Sequence, residues 1–369
     1  MEAGQEITEE QVHQALATVE DPELHRPLTE LDMVRAVMVS DGRVRLSIAL
    51  TVPGCPLKAT IQNDVTEAIR GLGADEVVIE FTTMTDEERA ALRQRLHGGS
   101  VSSVSDVFQN SRVIAIASGK GGVGKSSVST NLAIALAKRG KRTAIIDADV
   151  YGFSIPRMLG IDRGPVIIDR MIVPPEEHGV AVISIGFFAR ENDPVIWRGP
   201  MLHKALTQFV TDVYWDDPEV VIVDMPPGTG DVSLTMAQFL PATEVVVVTT
   251  PQPAAQRVAQ RAAYMARKVN LTVTGVIENM SWFTGNDGVR YQIFGEGGGE
   301  LLAKELGVPL LGRIPLAPAL REGSDYGNPI VVSQPESEVA RAIEEVAGEL
   351  AGMGVRRIRL PVLNLTPNG

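Results

Sequence analysis

Gly119-Lys120-Gly121-Gly122-Val123-Gly124-Lys125-Ser126 stands between an apolar run at 112–117 and a stretch of helical patterning that continues to Ala137. The octapeptide fits GxxxxGK[ST] and sits where that pattern has meaning, between a strand and a helix. Its glycines let backbone N–H groups close around phosphate oxygens, and the helix N-terminus adds a partial positive charge. Lys125 is expected to reach the β- and γ-phosphates and the Ser126 hydroxyl to ligate Mg²⁺. Ser127 follows as a further nucleotide-binding position.

Working outward, the chain after residue 112 alternates helix-length segments with short apolar runs at 113–117, 143–146, 180–188, 220–223, 245–248 and 273–277. Continuous apolar runs of this length indicate strands buried on both faces, so the expected fold is α/β, a largely parallel P-loop NTPase sheet covered by helices on both sides. Two runs end in acid. Asp147 and Asp149 follow the strand at 143–146, where the ligand crevice of an open α/β sheet lies. Asp149 is the candidate for orienting an attacking water and Asp147 for the Mg²⁺ shell, with helix capping as the alternative for each. Asp224 closes the strand at 220–223 and is placed to hold Mg²⁺ through water. The glycines of the 225–231 loop suit a switch that moves when the γ-phosphate is lost.

Upstream, residues 6–96 read as a small α+β unit of order αββαβ. Thr8 precedes the apolar positions Val12, Leu16 and Val19 and predicts a capped helix. Strands at 33–39 and 43–50 flank Ser40-Asp41-Gly42, a hairpin turn signal. Pro56 is expected at the first position of a helix carrying Ile61, Val65 and Ile69, and 76–81 is a third strand. Residues 97–111, rich in Gly and Ser, read as a linker to a second domain spanning 112–369.

Composition limits the chemistry. The 369 residues carry a net charge of −12, which disfavours broad phosphate-backbone binding and gives no expectation of a nucleic-acid partner. The start, MEAGQEITEE, lacks the features of a secretory leader, and no apolar run approaches the roughly 18 residues of a spanning helix, so the expected compartment is cytoplasmic with no membrane partner. The single cysteine, Cys55, excludes an intrachain disulfide and a complete thiolate cluster site on one chain. His13, His25, His97, His178 and His203 have no metal-like spacing.

GKGGVGKS also resembles the deviant phosphate loop of the MinD, ParA and nitrogenase-iron-protein superfamily. That resemblance implies that Lys120 reaches a partner's nucleotide across a homodimer interface. The likeness narrows with Asp147-Ala-Asp-Val-Tyr-Gly152, Arg198-Gly-Pro-Met201, Asp224-Met-Pro-Pro-Gly-Thr-Gly-Asp231, Glu278-Asn-Met-Ser281 and Phe294-Gly-Glu-Gly-Gly-Gly299, which together resemble the Mrp/ApbC iron-sulfur cluster carriers over about residues 112–345. Asp21-Pro-Glu23 and Thr51-Val-Pro-Gly-Cys-Pro56 resemble the SufT-like domain found before that ATPase. The resemblance implies an ATP-hydrolysing carrier that delivers clusters to apo iron-sulfur clients. It also implies that Asn279 binds the adenine edge and that Pro315 lines the base pocket.

One departure stands out. The segment 282–293, WFTGNDGVRYQI, lacks the Cys-x-x-Cys pair that the family carries there. Cys55 remains as a cluster ligand candidate, or as a small buried residue in a tight turn. Two other functions stay open: a nucleotide-gated adaptor without metal, and a MinD- or ParA-like positioning ATPase.

Overall fold

The computed structural model describes residues 7–96, 107–150, 152–188, 199–228 and 231–354. They divide into two units. One holds the N-terminal residues together with Gly164–Pro175 and Asp212–Asp216, and the other holds the rest.

In the first unit, α1 (Glu9–Leu16) opens with a reciprocal capping box, in which Gln11 N–H donates to the Thr8 hydroxyl and Thr8 N–H to the Gln11 side chain. Strands β1 (Val34–Ser40) and β2 (Arg43–Leu50) form the expected hairpin. Asp41 and Gly42 both take positive φ at the turn. Helix α2 (Lys58–Arg70) leads to β3 (Glu76–Thr83), which pairs in parallel with β2. Pro56 lies one residue before the N-cap Leu57, so the helix starts two residues later than expected. Helix α3 (Asp86–Leu96) was not expected, because only Leu92 of its charged sequence is buried. Ile61, Val65 and Ile69 pack with Val12, Leu16, Leu46 and Ile48 in one core. The hairpin of Val166–Ile168 and Met171–Val173 joins this core through Ile168, Met171 and Val173.

The second unit is built on β4 (Arg112–Ser118), β5 (Thr143–Asp147), β6 (Val180–Ser184), β7 (Val220–Asp224), β8 (Glu244–Thr249), β9 (Thr272–Thr284) and β10 (Leu310–Leu316). These run parallel in the order β6-β5-β7-β4-β8-β9-β10. Two-residue strands, Glu176–Glu177 and Arg290–Tyr291, add antiparallel to β6 and β9. The expected strand at 180–188 stops at Ser184 and turns into a 3₁₀ segment, Ile185–Phe187.

Every residue of β5, β7 and β8 is buried, as a sheet covered on both faces requires. Around the sheet lie α4 (Lys125–Lys138), α5 (Ile155–Leu159), α6 (Gly199–Thr211), α7 (Asp231–Phe239), α8 (Pro253–Lys268), α9 (Gly298–Leu306), α10 (Pro318–Tyr326), α11 (Ile330–Ser333) and α12 (Glu338–Gly352). Leu132, Leu136, Ile343, Val346 and Leu350 belong to one core with the strand residues Ile114, Ile145 and Ile222. Arg112, at the head of β4, forms a buried ion pair with Glu244 and donates to the Leu350 and Met353 carbonyls at the end of α12. Phe108 is already buried, so the last residues of the expected linker are anchored. Residues 97–106 of that linker, and Tyr151, Arg198, Thr229 and Gly230 of the quoted motifs, lie outside the described residues.

Candidate functional site: the phosphate-loop cleft

The parallel register sets the site. Asp147 and Asp224 are direct neighbours at the C-terminal ends of β5 and β7, and Ile116 of β4 sits beside Asp224. The loop that follows β4 therefore opens beside both carboxylates, at the ligand-binding edge of the sheet. Gly119 has to be glycine here, since a Cβ would stand 2.2 Å from the Ala259 nitrogen of α8. Gly121 and Gly122 have open space where a Cβ would stand, leaving their backbone accessible to a phosphate. A cleft of about 240 Å³ is lined by Gly121, Gly122, Gly124, Lys125, Ser126, Ser127, Asp149 and Pro227, among others.

Within the cleft the cation and the carboxylates are already engaged. Lys125 Nζ donates to Asp224 Oδ2 at 2.5 Å, and the Ser126 hydroxyl donates to the same oxygen at 2.7 Å. The Ser129 hydroxyl, one turn along α4, donates to Asp224 Oδ1 at 2.6 Å. Ser129 was not singled out from sequence, because a serine inside a helical stretch gives no local signal. Lys125 Nζ also stands 4.0 Å from Asp149 Oδ2. Asp149 accepts from Gly152 N–H at 3.1 Å and lines the cleft.

Asp147, expected in a metal shell, is held by protein donors. It is fully buried and does not line the cleft. Its Oδ2 accepts from the Ser184 hydroxyl at 2.9 Å and from the backbone N–H groups of Ser154 and Ile155 at the head of α5, while Oδ1 accepts from Asp149 N–H. The capping alternative therefore describes its contacts. Burial first, and the neighbouring Asp224 charge second, push its pKa up to about 7.

Lys120 is half-buried and its Nζ donates to Gln252 Oε1 of its own chain at 3.2 Å. Asn279, on β9, is also drawn to the loop. Its Nδ2 donates to the Val123 carbonyl at 2.8 Å, while its Oδ1 is buried with no hydrogen-bond partner. A Cβ at Gly124, where φ is +79°, would lie 2.3 Å from Asn279 Nδ2. Pro315 is buried on β10, one residue beyond the Ile314 that pairs with Asn279. Neither Asn279 nor Pro315 lines the phosphate cleft itself. Glu278 was missed in the sequence. It is buried, accepts from Ser281 Oγ and from Gly299 N–H, and so ties β9 to the start of α9.

The two candidate iron sites look different. Cys55 is buried in the core of the N-terminal unit. Segment 282–293 continues β9 into a hairpin whose turn is closed by Gly285 N–H donating to the Val289 carbonyl. Trp282 Nε1, Thr284 Oγ1 and Arg290 all donate to Glu338 at the head of α12, and the Arg290 guanidinium lies 4.3 Å from the Trp282 ring. Partial burial works against it, yet these three donors hold the Glu338 carboxyl below its ordinary range. Among the described residues, no group of three or more His, Cys, Asp or Glu side chains is arranged to hold a metal ion, and no helix is long and apolar enough to cross a membrane.

Comparison with known proteins follows the same division of the chain. A family model described as ParA, NUBPL iron-transfer P-loop NTPase, matches residues 109–351, and one described as an iron-sulfur cluster assembly protein matches residues 9–80. The iron-sulfur cluster carrier protein of Mycobacterium tuberculosis is 47% identical over 365 residues, covering 96% of this chain and 95% of the relative. Among solved structures, a nucleotide-binding protein from Archaeoglobus fulgidus in complex with ADP is 32% identical with a TM-score of 0.55, covering 64% of this chain and 95% of that one. The cell division ATPase MinD of Pyrococcus furiosus is 25% identical with a TM-score of 0.50, covering 65% of this chain and 98% of that one. The chain belongs to the iron-sulfur cluster carrier family of ParA/NUBPL-type P-loop NTPases.

Proposed function

We propose that this protein binds and hydrolyses ATP with Mg²⁺ in the phosphate-loop cleft, and that as a cytoplasmic homodimer it uses this cycle to carry iron-sulfur clusters to apo client proteins. The observation that carries the reading is the convergence of Lys125, Ser126 and Asp224 under an open glycine loop, with Asp149 facing the same cleft.

Asp224 holds both the ammonium and the hydroxyl that the phosphates and metal require. ATP binding therefore exchanges partners: Lys125 Nζ turns from Asp224 to the β- and γ-phosphates, and the Ser126 hydroxyl is released. Ser126 and Asp224 would hold Mg²⁺, which when bound neutralises charge on the phosphate oxygens. Asp149 orients the attacking water. Asp147 holds the turn into α5 and acts through that turn. The unpartnered Asn279 Oδ1 suits the exocyclic amine of adenine, and Pro315 on the adjacent strand forms a wall of the base pocket. Lys120 exchanges Gln252 for the partner's phosphates when two chains close.

Lys125→Ala should abolish ATP turnover, while Lys120→Ala should retain nucleotide binding and lose ATP-dependent dimerisation, read by light scattering. Normal hydrolysis in Lys125→Ala would overturn the ATPase reading. The cargo is tested by iron and sulfide content of protein purified without air. A second reading, a nucleotide-gated adaptor without metal, is favoured by one observation: the segment where the family carries Cys-x-x-Cys is a hairpin fastened to Glu338. Absence of bound iron and sulfide after anaerobic reconstitution would select it.

A further inference from the structure

We infer that Ser129 is a positioning residue for the metal half of the nucleotide site: its hydroxyl fixes the Asp224 carboxylate so that Oδ2, not Oδ1, is presented to Mg²⁺. The inference rests on the ATPase reading above and adds to it a residue outside the GxxxxGK[ST] pattern.

Asp224 has no exposure, so its two oxygens depend on protein donors. They are used unequally. Oδ2 takes Lys125 Nζ and Ser126 Oγ, the groups that leave when nucleotide arrives. Oδ1 takes Ser129 Oγ, from a residue that is itself fully buried in α4 and does not line the cleft. The Ser129 hydroxyl has a second acceptor within reach, the Lys125 carbonyl at 3.1 Å. The carboxylate at 2.6 Å is the closer one and is charged, and a charge-assisted bond is the stronger of the two. The hydroxyl proton therefore goes to Asp224.

The consequence appears during partner exchange. When Lys125 and Ser126 turn away, Ser129 is the donor that stays, and it holds the carboxylate plane while Oδ2 is given to the metal. Without it, a buried Oδ1 seeks another donor. Rotation of the carboxylate or retention of Lys125 then competes with metal binding. ADP or ATP affinity without metal depends on the loop backbone and Lys125, and so is untouched by this role.

The test compares Ser129→Ala and Ser129→Thr in the full chain. ADP affinity is measured in EDTA and in Mg²⁺ with a fluorescent ADP analogue, and Mn²⁺ affinity of the ADP complex by electron paramagnetic resonance. Loss of one hydrogen bond to a charged group predicts about a tenfold weaker Mn²⁺ affinity in Ser129→Ala, with ADP affinity in EDTA within about twofold of the parent. Ser129→Thr, which keeps the hydroxyl, restores metal affinity. Parent-like Mn²⁺ affinity in Ser129→Ala overturns the inference, as does a parallel loss of ADP affinity in EDTA, which marks a damaged loop. Should Ser129→Ala fail to fold, a Ser129→Thr protein whose ADP complex binds Mn²⁺ about tenfold more weakly than the parent overturns it as well. Each of these readouts is independent of turnover, so a parent chain that binds MgADP but does not hydrolyse ATP would remove the ATPase reading alone.

Discussion

Lys125→Ala removes the positive charge that faces Asp224, a carboxylate with no solvent exposure. The hydroxyls of Ser126 and Ser129 remain as donors, but the ammonium that balanced the charge is gone. Breaking a buried ion pair from one side costs about 3–5 kcal/mol, because the surviving charge stays desolvated. Asp147 moves the expected value to the lower end of that range. Its pKa is already up at about 7, and Lys125 is one of the groups holding it down. Without Lys125 its pKa rises further, and its repulsion of Asp224 weakens. A net loss of about 3 kcal/mol lowers the calorimetric melting temperature of the nucleotide-free protein by roughly 6–12 °C, at 2–4 °C per kcal/mol for a unit of this size. Lys125→Ala combined with Asp224→Asn removes both charges and should recover most of that loss, with no recovery of ATP turnover. The double-mutant cycle then gives a coupling of at least about 2–3 kcal/mol, increased by whatever Asp224→Asn alone costs in leaving Lys125 unpaired. A single variant that melts within about 2 °C of the parent would refute the buried-pair argument. So would additive losses in the double variant.

Asp149→Asn should lower kcat about 10²-fold or more while leaving ADP affinity near that of the parent, since Asp149 lines the cleft and its proposed role is to orient water; single-turnover hydrolysis checks it. The Asp147 carboxyl predicts a pH effect of definite sign. Its folded pKa of about 7 lies above the ordinary 3.8, so the folded chain binds the extra proton and stability falls as pH rises across that window, then levels off. Asp147→Asn should remove that fall, read as melting temperature between about pH 5 and pH 8; a parent whose melting is flat over this range contradicts it. Arg112→Leu strands Glu244 in the interior and frees the end of α12, so a loss of about 3–5 kcal/mol is expected. Hydrogen exchange at 340–352 should rise most, and uniform exchange across the unit would count against the clamp.

The features legible in the sequence are those whose cause lies within a few residues. The capping box needs only Thr8 and Gln11. The phosphate loop needs eight consecutive positions between an apolar run and a helical one, and the family model and the solved relatives agree with that reading. Strands β5, β7 and β8 were visible because burial on both faces demands unbroken apolar runs. What stayed hidden depends on distant pairing. Asn279 reaches Val123 across 156 positions and Arg112 reaches Glu244 across 132, and neither pattern has a local period. Asp147 and Asp149 differ by two residues and carry the same chemistry. Only the parallel pairing of β5 with β6, which brings Ser184 beside Asp147, buries the first while the second faces the cleft. The joining of Gly164–Pro175 to the N-terminal unit likewise has no signal in sequence order.

Glu278 and Asn279 show how two adjacent residues can join separate parts of the site. Successive side chains on a strand point to opposite faces. Asn279 goes to the phosphate loop through Val123, and Glu278 goes to Gly299 at the head of α9. Both contacts require a glycine beside them, since a Cβ at Gly124, next to Val123, would stand 2.3 Å from Asn279 Nδ2 and one at Gly299 would stand 2.5 Å from Glu278 Cβ. The same strand runs on to Trp282 and Thr284, which are fastened to Glu338. The stretch between Asn279 and the hairpin is irregular, with Met280 at φ +58° and a register shift against β10 between Asn279 and Phe283, yet the same chain segment carries the contact to the phosphate loop and the hairpin that stands where the family carries its cysteines.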